Sequence, residues 1–193
     1  FISWFAARYQ VDMTEAAQPD LSAYADFNSF FTRALKPDAR PIDASLGAIV
    51  CPADGAISQM GAIEHNRIFQ AKGKSFSVEA LLGGDKTLAQ SFYGGQFATV
   101  YLSPKDYHRV HMPIDGRLLK TIYVPGKLFS VNKTTAENVD ELFARNERLV
   151  CLFETPVGPM ALVLVGAMIV AGSDTVWAGH ICPTKHVLVS TDY

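Results

Sequence analysis

Met160-Ala161-Leu162-Val163-Leu164-Val165-Gly166-Ala167-Met168-Ile169-Val170-Ala171-Gly172 is the longest apolar run in the sequence, at 13 residues. It falls short of the ~18 residues that span a bilayer as a helix. Val and Leu dominate it and Gly166 interrupts it, so it reads as a buried strand or strand pair. Shorter runs of the same character lie at residues 48–51, 56–63, 97–102, 118–124, 149–153 and 175–181, punctuated by Gly, Pro, Asp and Asn. Three short helices are predicted among them: 78–82 behind a Ser77 cap and stopped by Gly83, 88–92, and 136–143.

The N-terminal end has a different period. In Phe1-Ile2-Ser3-Trp4-Phe5-Ala6-Ala7-Arg8-Tyr9-Gln10, residues Ile2, Phe5, Ala6 and Tyr9 recur at helical spacing, and Phe1 and Trp4 add aromatic bulk. The stretch lacks the basic start and small-residue cleavage site of a signal peptide. It reads either as a helix lying in a membrane interface or as one docked on the core. A second helical pattern follows Pro19, with Leu21, Tyr24, Phe27, Phe31 and Leu35 in register and Asp20 as a cap. Residues 36–41 hold two prolines and no periodicity, and read as a connector. The expected fold is α+β: helices over 1–35, then a β-rich, sandwich- or barrel-like core over 36–193.

The 193 residues suffice for one domain with a buried core. At 49% hydrophobic and 19% charged, the chain is neither disordered nor a coiled coil. A formal net charge of −2 gives no basic surplus for nucleic acid. It also gives no strong electrostatic capture by a membrane, so anchoring there would rest on the aromatic helices. Cys51, Cys151 and Cys182 are an odd number without a Cys-x-x-Cys pair, which fits a reducing compartment.

Three polar segments abut the apolar runs. Pro52-Ala53-Asp54-Gly55 is by ordinary chemistry a turn, and alternatively a rigid mount for a carboxylate that orients a histidine. Tyr107-His108-Arg109-Val110-His111-Met112-Pro113 places two of the five histidines within four residues, bracketed by Pro104 and Pro113. Histidine takes and returns protons near neutral pH. A pair at this spacing is also compatible with a metal, although no third ligand of convincing spacing lies near, or with plain structural histidines. Pro125-Gly126-Lys127-Leu128-Phe129-Ser130-Val131-Asn132 is not a phosphate loop. Ser130, Asn132 and local backbone N–H groups could still bind a phosphate oxygen.

Taken together, these segments resemble bacterial phosphatidylserine decarboxylase. The resemblance runs from about Val11 to Ile181. It is carried by Phe30-Phe31-x-Arg33, Arg40-Pro41-Ile42, Pro52-Ala53-Asp54-Gly55-x-Ile57, Tyr101-Leu102-Ser103-Pro104-x-Asp106 followed by the histidine segment, Gly126-x-Leu128-Phe129-Ser130-Val131-Asn132, Phe143-Ala144-Arg145-Asn146-Glu147-Arg148 and Thr175-Val176-Trp177-Ala178-Gly179. The histidine block is the most specific, because its matches are uninterrupted.

The resemblance implies conversion of phosphatidylserine to phosphatidylethanolamine and CO2. It implies a pyruvoyl cofactor made when a proenzyme cuts itself at a Gly-Ser bond. The pyruvoyl then heads a separate α chain, and a Schiff base to its carbonyl serves as the electron sink. This chain would be the β-chain portion, with no metal. Asp54 and His111 match the residues that activate the cleavage serine, with Asp54 orienting His111 and His111 withdrawing the proton. His108 matches the histidine given proton handling or substrate positioning during decarboxylation. Ser130 and Asn132 would meet the phosphoserine headgroup, and Ile2, Trp4, Phe5 and Tyr9 would face the membrane. The implied partners are the α chain of the same precursor, a phospholipid membrane, phosphatidylserine, and a second αβ unit in a homodimer. The implied location is the cytoplasmic side of the inner membrane, held peripherally.

The sequence also departs from that pattern. The family's Leu-Gly-Ser-Thr motif is absent: Gly172-Ser173 precedes Trp177 and lacks the Thr, and Leu188-Val189-Ser190-Thr191 lacks the Gly. After Pro183 the resemblance stops. The expectation is therefore a fragment, with membrane-helix sequence missing before Phe1 and the cofactor carried on another piece. The competing expectation is a non-catalytic, lipid-surface binding module that kept the scaffold and lost the serine.

Overall fold

The computed structural model describes residues 1–181 and 187–193. Cys182, and the beginning of the tail that leaves the resemblance at Pro183, lie outside those residues. The chain is α+β. Helices are α1 (Ile2–Tyr9), α2 (Phe27–Phe31), α3 (Val78–Leu81), α4 (Lys86–Gln90), α5 (Lys133–Asn138) and α6 (Leu142–Arg145). Strands are β1 (Ala56–Ala62), β2 (Arg67–Ala71), β3 (Lys74–Ser77), β4 (Gln96–Tyr101), β5 (Arg117–Val124), β6 (Arg148–Thr155), β7 (Gly158–Val165), β8 (Ser173–Thr175), β9 (Gly179–Ile181) and β10 (Val189–Asp192). Two compact units form, one from residues 1–58 and 100–115, the other from 59–99 and 116–193.

In the second unit the largest sheet has the order β10-β5-β6-β7, and all its pairs are antiparallel. Among the described residues β10 and β7 stand at its edges. The remaining pairs are β1 with β4, β2 with β3, and β8 with β9. Strand β6 is buried along nearly its whole length. Alternation puts Val150 and Leu152 beside Ile122 and Val124 in one core with Ile68, Phe76, Val78 and Leu82. Each such side chain contributes roughly 1.5–3 kcal/mol of burial. Burial also pushes the Cys151 thiol up to about 11, so it is inert packing.

Several local expectations change. The run at 160–170 supplies β7 only as far as Val165; Gly166 follows, and Ala167 and Val170 form an isolated bridge. The run at 175–181 is not one strand but the β8–β9 hairpin, with Val176 fully exposed at its turn. Residues 48–51 form no strand; Val50 N–H donates to Pro113 O, and Ile49 is largely exposed, so the run has no buried face. Ser77 caps α3 as expected, its hydroxyl accepting from Ala80 N–H. The helix expected over 136–143 is two, broken at Glu141, whose φ is 52°.

The first unit holds α1 and α2. The long helix expected after Asp20 is broken. Asp20 caps a single 3-10 turn (Leu21–Ala23), and Asp26 then starts α2 with a reciprocal capping box to Ser29. The second cap restarts the chain direction, so the apolar period of the sequence is carried by two short pieces. Phe27, Phe30 and Phe31 of α2 gather around Phe5 of α1, with ring centroids 4.9–6.2 Å away.

Candidate active site

The Pro52–Gly55 turn and the histidine segment both belong to the first unit, and backbone bonds fasten them together. His111 N–H donates to Pro52 O at 2.8 Å, and Val50 N–H donates to Pro113 O at 2.9 Å. Gly55 makes the close approach possible: a Cβ there would stand 2.5 Å from the carbonyl oxygen of Tyr101. The segment's own turn is closed by Asp106, whose carboxylate accepts from the N–H and hydroxyl of Ser103.

Asp54 is held by Arg40. The guanidinium donates through Nε to both carboxylate oxygens, at 3.0 and 2.9 Å, and through Nη2 to Oδ2 at 2.5 Å. Its other side grips Glu15 at 2.8 and 2.9 Å. The two carboxylates, Glu15 foremost, hold the Arg40 proton more tightly than usual. Arg40 in turn lowers the Glu15 carboxyl below the usual range.

His111 meets a different partner from the one expected. Its Nε2 lies 2.9 Å from the Tyr107 hydroxyl, and the two rings stack. Among the described residues, no hydrogen bond joins Asp54 to His111. Burial raises the Tyr107 phenol, so it keeps its proton at neutral pH.

His108 is oriented on two sides. Nδ1 lies 2.8 Å from the Asp106 carbonyl oxygen. A carbonyl only accepts, so Nδ1 carries the proton and Nε2 of the neutral ring has the lone pair. Phe31 covers one face, with centroids 3.9 Å apart. Burial lowers the His108 pKa below its ordinary value, Arg33 adding slightly and Asp106 opposing. Arg33 is itself buried, donates to Lys105 O at 3.1 Å, and lies over the Phe30 ring. A cleft of about 190 Å³ is lined by Arg33, Arg40, Asp54, Asp106 and Tyr107, together with Gln10, Asp12 and Glu15.

Ser130 and Asn132 lie in the second unit. Asn132 Oδ1 is used locally, capping α5 by accepting from Thr135 N–H at 3.0 Å. The loop before them is built on Asn146, fully buried. Its amide donates to Phe129 O and Gly166 O and accepts from Phe129 N–H. Gly126 presses against the same backbone, where a Cβ would sit 2.5 Å from Arg145 O. Of the α1 residues, Phe5 is turned inward and buried, Ile2 is partly covered, and Trp4 and Tyr9 are exposed.

Among the described residues, no group of three or more His, Cys, Asp or Glu side chains is placed to hold a metal. Also among them, no helix is long and apolar enough to cross a membrane.

Residues 27–176 match the phosphatidylserine decarboxylase family. The chain belongs to that family. Over all 193 residues it is 69% identical to the phosphatidylserine decarboxylase proenzyme of Pseudomonas putida strain W619, covering 67% of that protein. It is 70% identical over 192 residues to the proenzyme of Ectopseudomonas mendocina strain ymp, and 68% identical over 192 residues to that of Pseudomonas aeruginosa strain LESB58. The chain thus spans about two thirds of the length of these relatives. Sequence reasoning on this phosphatidylserine decarboxylase family chain named Asp54, His108 and His111 but gave no role to Phe31, Arg40, Tyr107 or Asn146. All four stand inside the quoted blocks, which was the available signal.

Proposed function

We propose that this chain supplies the proton-handling residues of a phosphatidylserine decarboxylase, converting phosphatidylserine to phosphatidylethanolamine and CO2 at a phospholipid surface. The enzyme class, a carboxy-lyase, follows from the family. The observation that carries the mechanism is the His111 N–H bond to Pro52 O, which fixes the Asp54 turn beside the histidine segment.

Two tasks divide between the histidines. In the uncut precursor, His111 takes the proton of the cleavage serine, and Asp54, braced by Arg40, supplies the negative charge that favours the resulting imidazolium. In the mature enzyme, His108 presents a lone pair on Nε2. It takes a proton from the substrate's ammonium, whose nitrogen becomes nucleophilic, and returns one to the carbon that loses CO2. A pyruvoyl group carried by a companion α chain is the cofactor that the relatives' proenzyme form supports. That group supplies a carbonyl able to take up the electron pair left by the departing carboxylate. Ser130 and Asn132 are assigned to the headgroup phosphate. Ile2, Trp4 and Tyr9 of α1 are assigned to the membrane, with Phe5 of the same helix as their packing base. Peripheral attachment to the cytoplasmic face of the inner membrane and pairing of αβ units complete the reading.

The test is mass spectrometry of the full-length protein. A second, smaller chain with a carbonyl-reactive N-terminus is expected, and His111→Ala should leave the precursor uncut. Normal processing of that variant would refute the role of His111. A single uncut, carbonyl-free polypeptide with full activity would refute the pyruvoyl reading.

A further inference from the structure

The Phe30-Phe31-x-Arg33 block is tied at three points to the histidine segment and the Ser103–Asp106 turn just before it. The Phe31 ring lies on the His108 imidazole, with centroids 3.9 Å apart and planes 36° apart. Arg33 Nη2 donates to Lys105 O at 3.1 Å. Arg109 Nε donates to Thr32 O at 2.8 Å. Two of the three ties are side chain to backbone, so they locate the segment rather than the imidazole. The single hydrogen bond on Nδ1 leaves the ring plane able to swing about that bond. Among the described residues, Phe31 is the aromatic ring that lies against the imidazole and limits the swing.

Phe31 has little freedom of its own. It is buried, stacks on Phe27 at 5.3 Å, and meets Phe5 edge-on at 6.2 Å. The capping box at Asp26 and Ser29 fixes the short helix that bears it.

We propose that Phe31 is a positioning residue for decarboxylation: its ring face, with the Asp106 carbonyl on Nδ1, sets the plane in which His108 presents Nε2. This rests on the assignment of His108 to proton transfer. Phe31 also removes water from one side of the imidazole. The charged groups acting on His108 are Asp106, which favours its cation, and Arg33, which disfavours it. Neither would change on substitution of Phe31, so a shift in titration would report the lost cover.

The test uses the full-length, self-processed enzyme with Phe31→Leu and His108→Gln variants, assayed on phosphatidylserine in detergent micelles. For Phe31→Leu, kcat should fall about tenfold with KM within about twofold. The acid limb of its kcat profile should move to higher pH, while self-cleavage, which uses His111, runs at the normal rate. A Phe31→Leu enzyme with wild-type kcat and acid limb, beside an inactive His108→Gln enzyme, overturns the proposal and leaves the function standing. An active His108→Gln enzyme overturns the assignment of His108 itself. If Phe31→Leu does not fold, Phe31→Tyr, which keeps the ring face, should retain kcat and the acid limb. Loss of kcat in a folded, processed Phe31→Tyr enzyme overturns the proposal. Nitrogen-15 NMR of histidine-labelled wild-type enzyme should find Nδ1 of His108 protonated and Nε2 bare at neutral pH; the opposite tautomer also overturns it.

Discussion

The Tyr107 hydroxyl stands 2.9 Å from Nε2 of His111, with the two rings stacked 19° from parallel. If His111 serves the cleavage serine as proposed, with Nε2 as in other serine–histidine pairs, that is the nitrogen the serine hydroxyl would use. The stack and the hydrogen bond therefore do different things: the ring orients the imidazole, while the hydroxyl occupies it.

Tyr107→Phe keeps the ring and vacates Nε2. Self-cleavage in the full-length precursor should be at least as fast as in the wild type. Loss of one hydrogen bond should cost about 1 kcal/mol of stability. Timed gel analysis of precursor and product checks the rate. Cleavage slowed severalfold would mean that the hydroxyl orients the imidazole instead of competing for it.

Arg40→Gln removes the fork that holds Asp54 and frees Glu15 at the same time. The pair is partly exposed, so the melting temperature should change little. Self-cleavage should slow by about tenfold or more, because the carboxylate loses its fixed orientation. Arg40→Lys should recover only part of the rate, since an ammonium cannot grip two carboxylates in a plane. A slow Arg40→Gln precursor that has also lost several degrees of melting temperature would point to a structural role instead.

The apolar strands were legible because their periodicity is direct. Runs at 56–63, 97–102, 118–124 and 149–153 all became strands, shifted by a residue or two at their ends. The β2–β3 hairpin was not, because Gln70 stands at an inward position. It is 2% exposed and survives there by donating to Ala136 O and Val139 O and accepting from Leu142 N–H. A polar residue satisfied by groups some seventy positions away breaks the local pattern. The turn is disguised too, since Lys72, not glycine, takes a positive φ of 44° before Gly73. For the site, Asp54 and the histidines stood out by residue type. Their partners did not: the Tyr107 bond depends on how a segment between two prolines folds, and the Arg40 bond on a loop closing over fourteen residues.

Asn146 should be among the least replaceable side chains of the second unit. Asn146→Ala strands Phe129 N–H and Phe129 O, which are partly buried, and Gly166 O, which is buried. A loss of about 2–4 kcal/mol is expected, and urea unfolding measures it. Gly126→Ala strikes the same junction sterically and should cost about 1–3 kcal/mol. Because both act on one backbone contact, the double variant should lose less than the sum. Full additivity would separate the two sites.

His108 gives the processed enzyme a pH signature. In the unfolded chain an imidazole titrates near ~6.5. In the folded chain burial holds it below that value, since the cation is disfavoured. Between the two values the unfolded state binds a proton that the folded state does not, so stability falls as pH drops. The contribution is complete above the unfolded value and is lost as pH descends to the folded one, below which it is flat. His108→Gln cannot titrate, so its urea midpoint should fall less than that of the wild type between pH 7.5 and 5. The remaining histidines and the carboxylates titrate in both proteins and cancel in the comparison. Equal losses in the two would mean that the folded imidazole is as easily protonated as the unfolded one, and that Phe31 shields it from nothing.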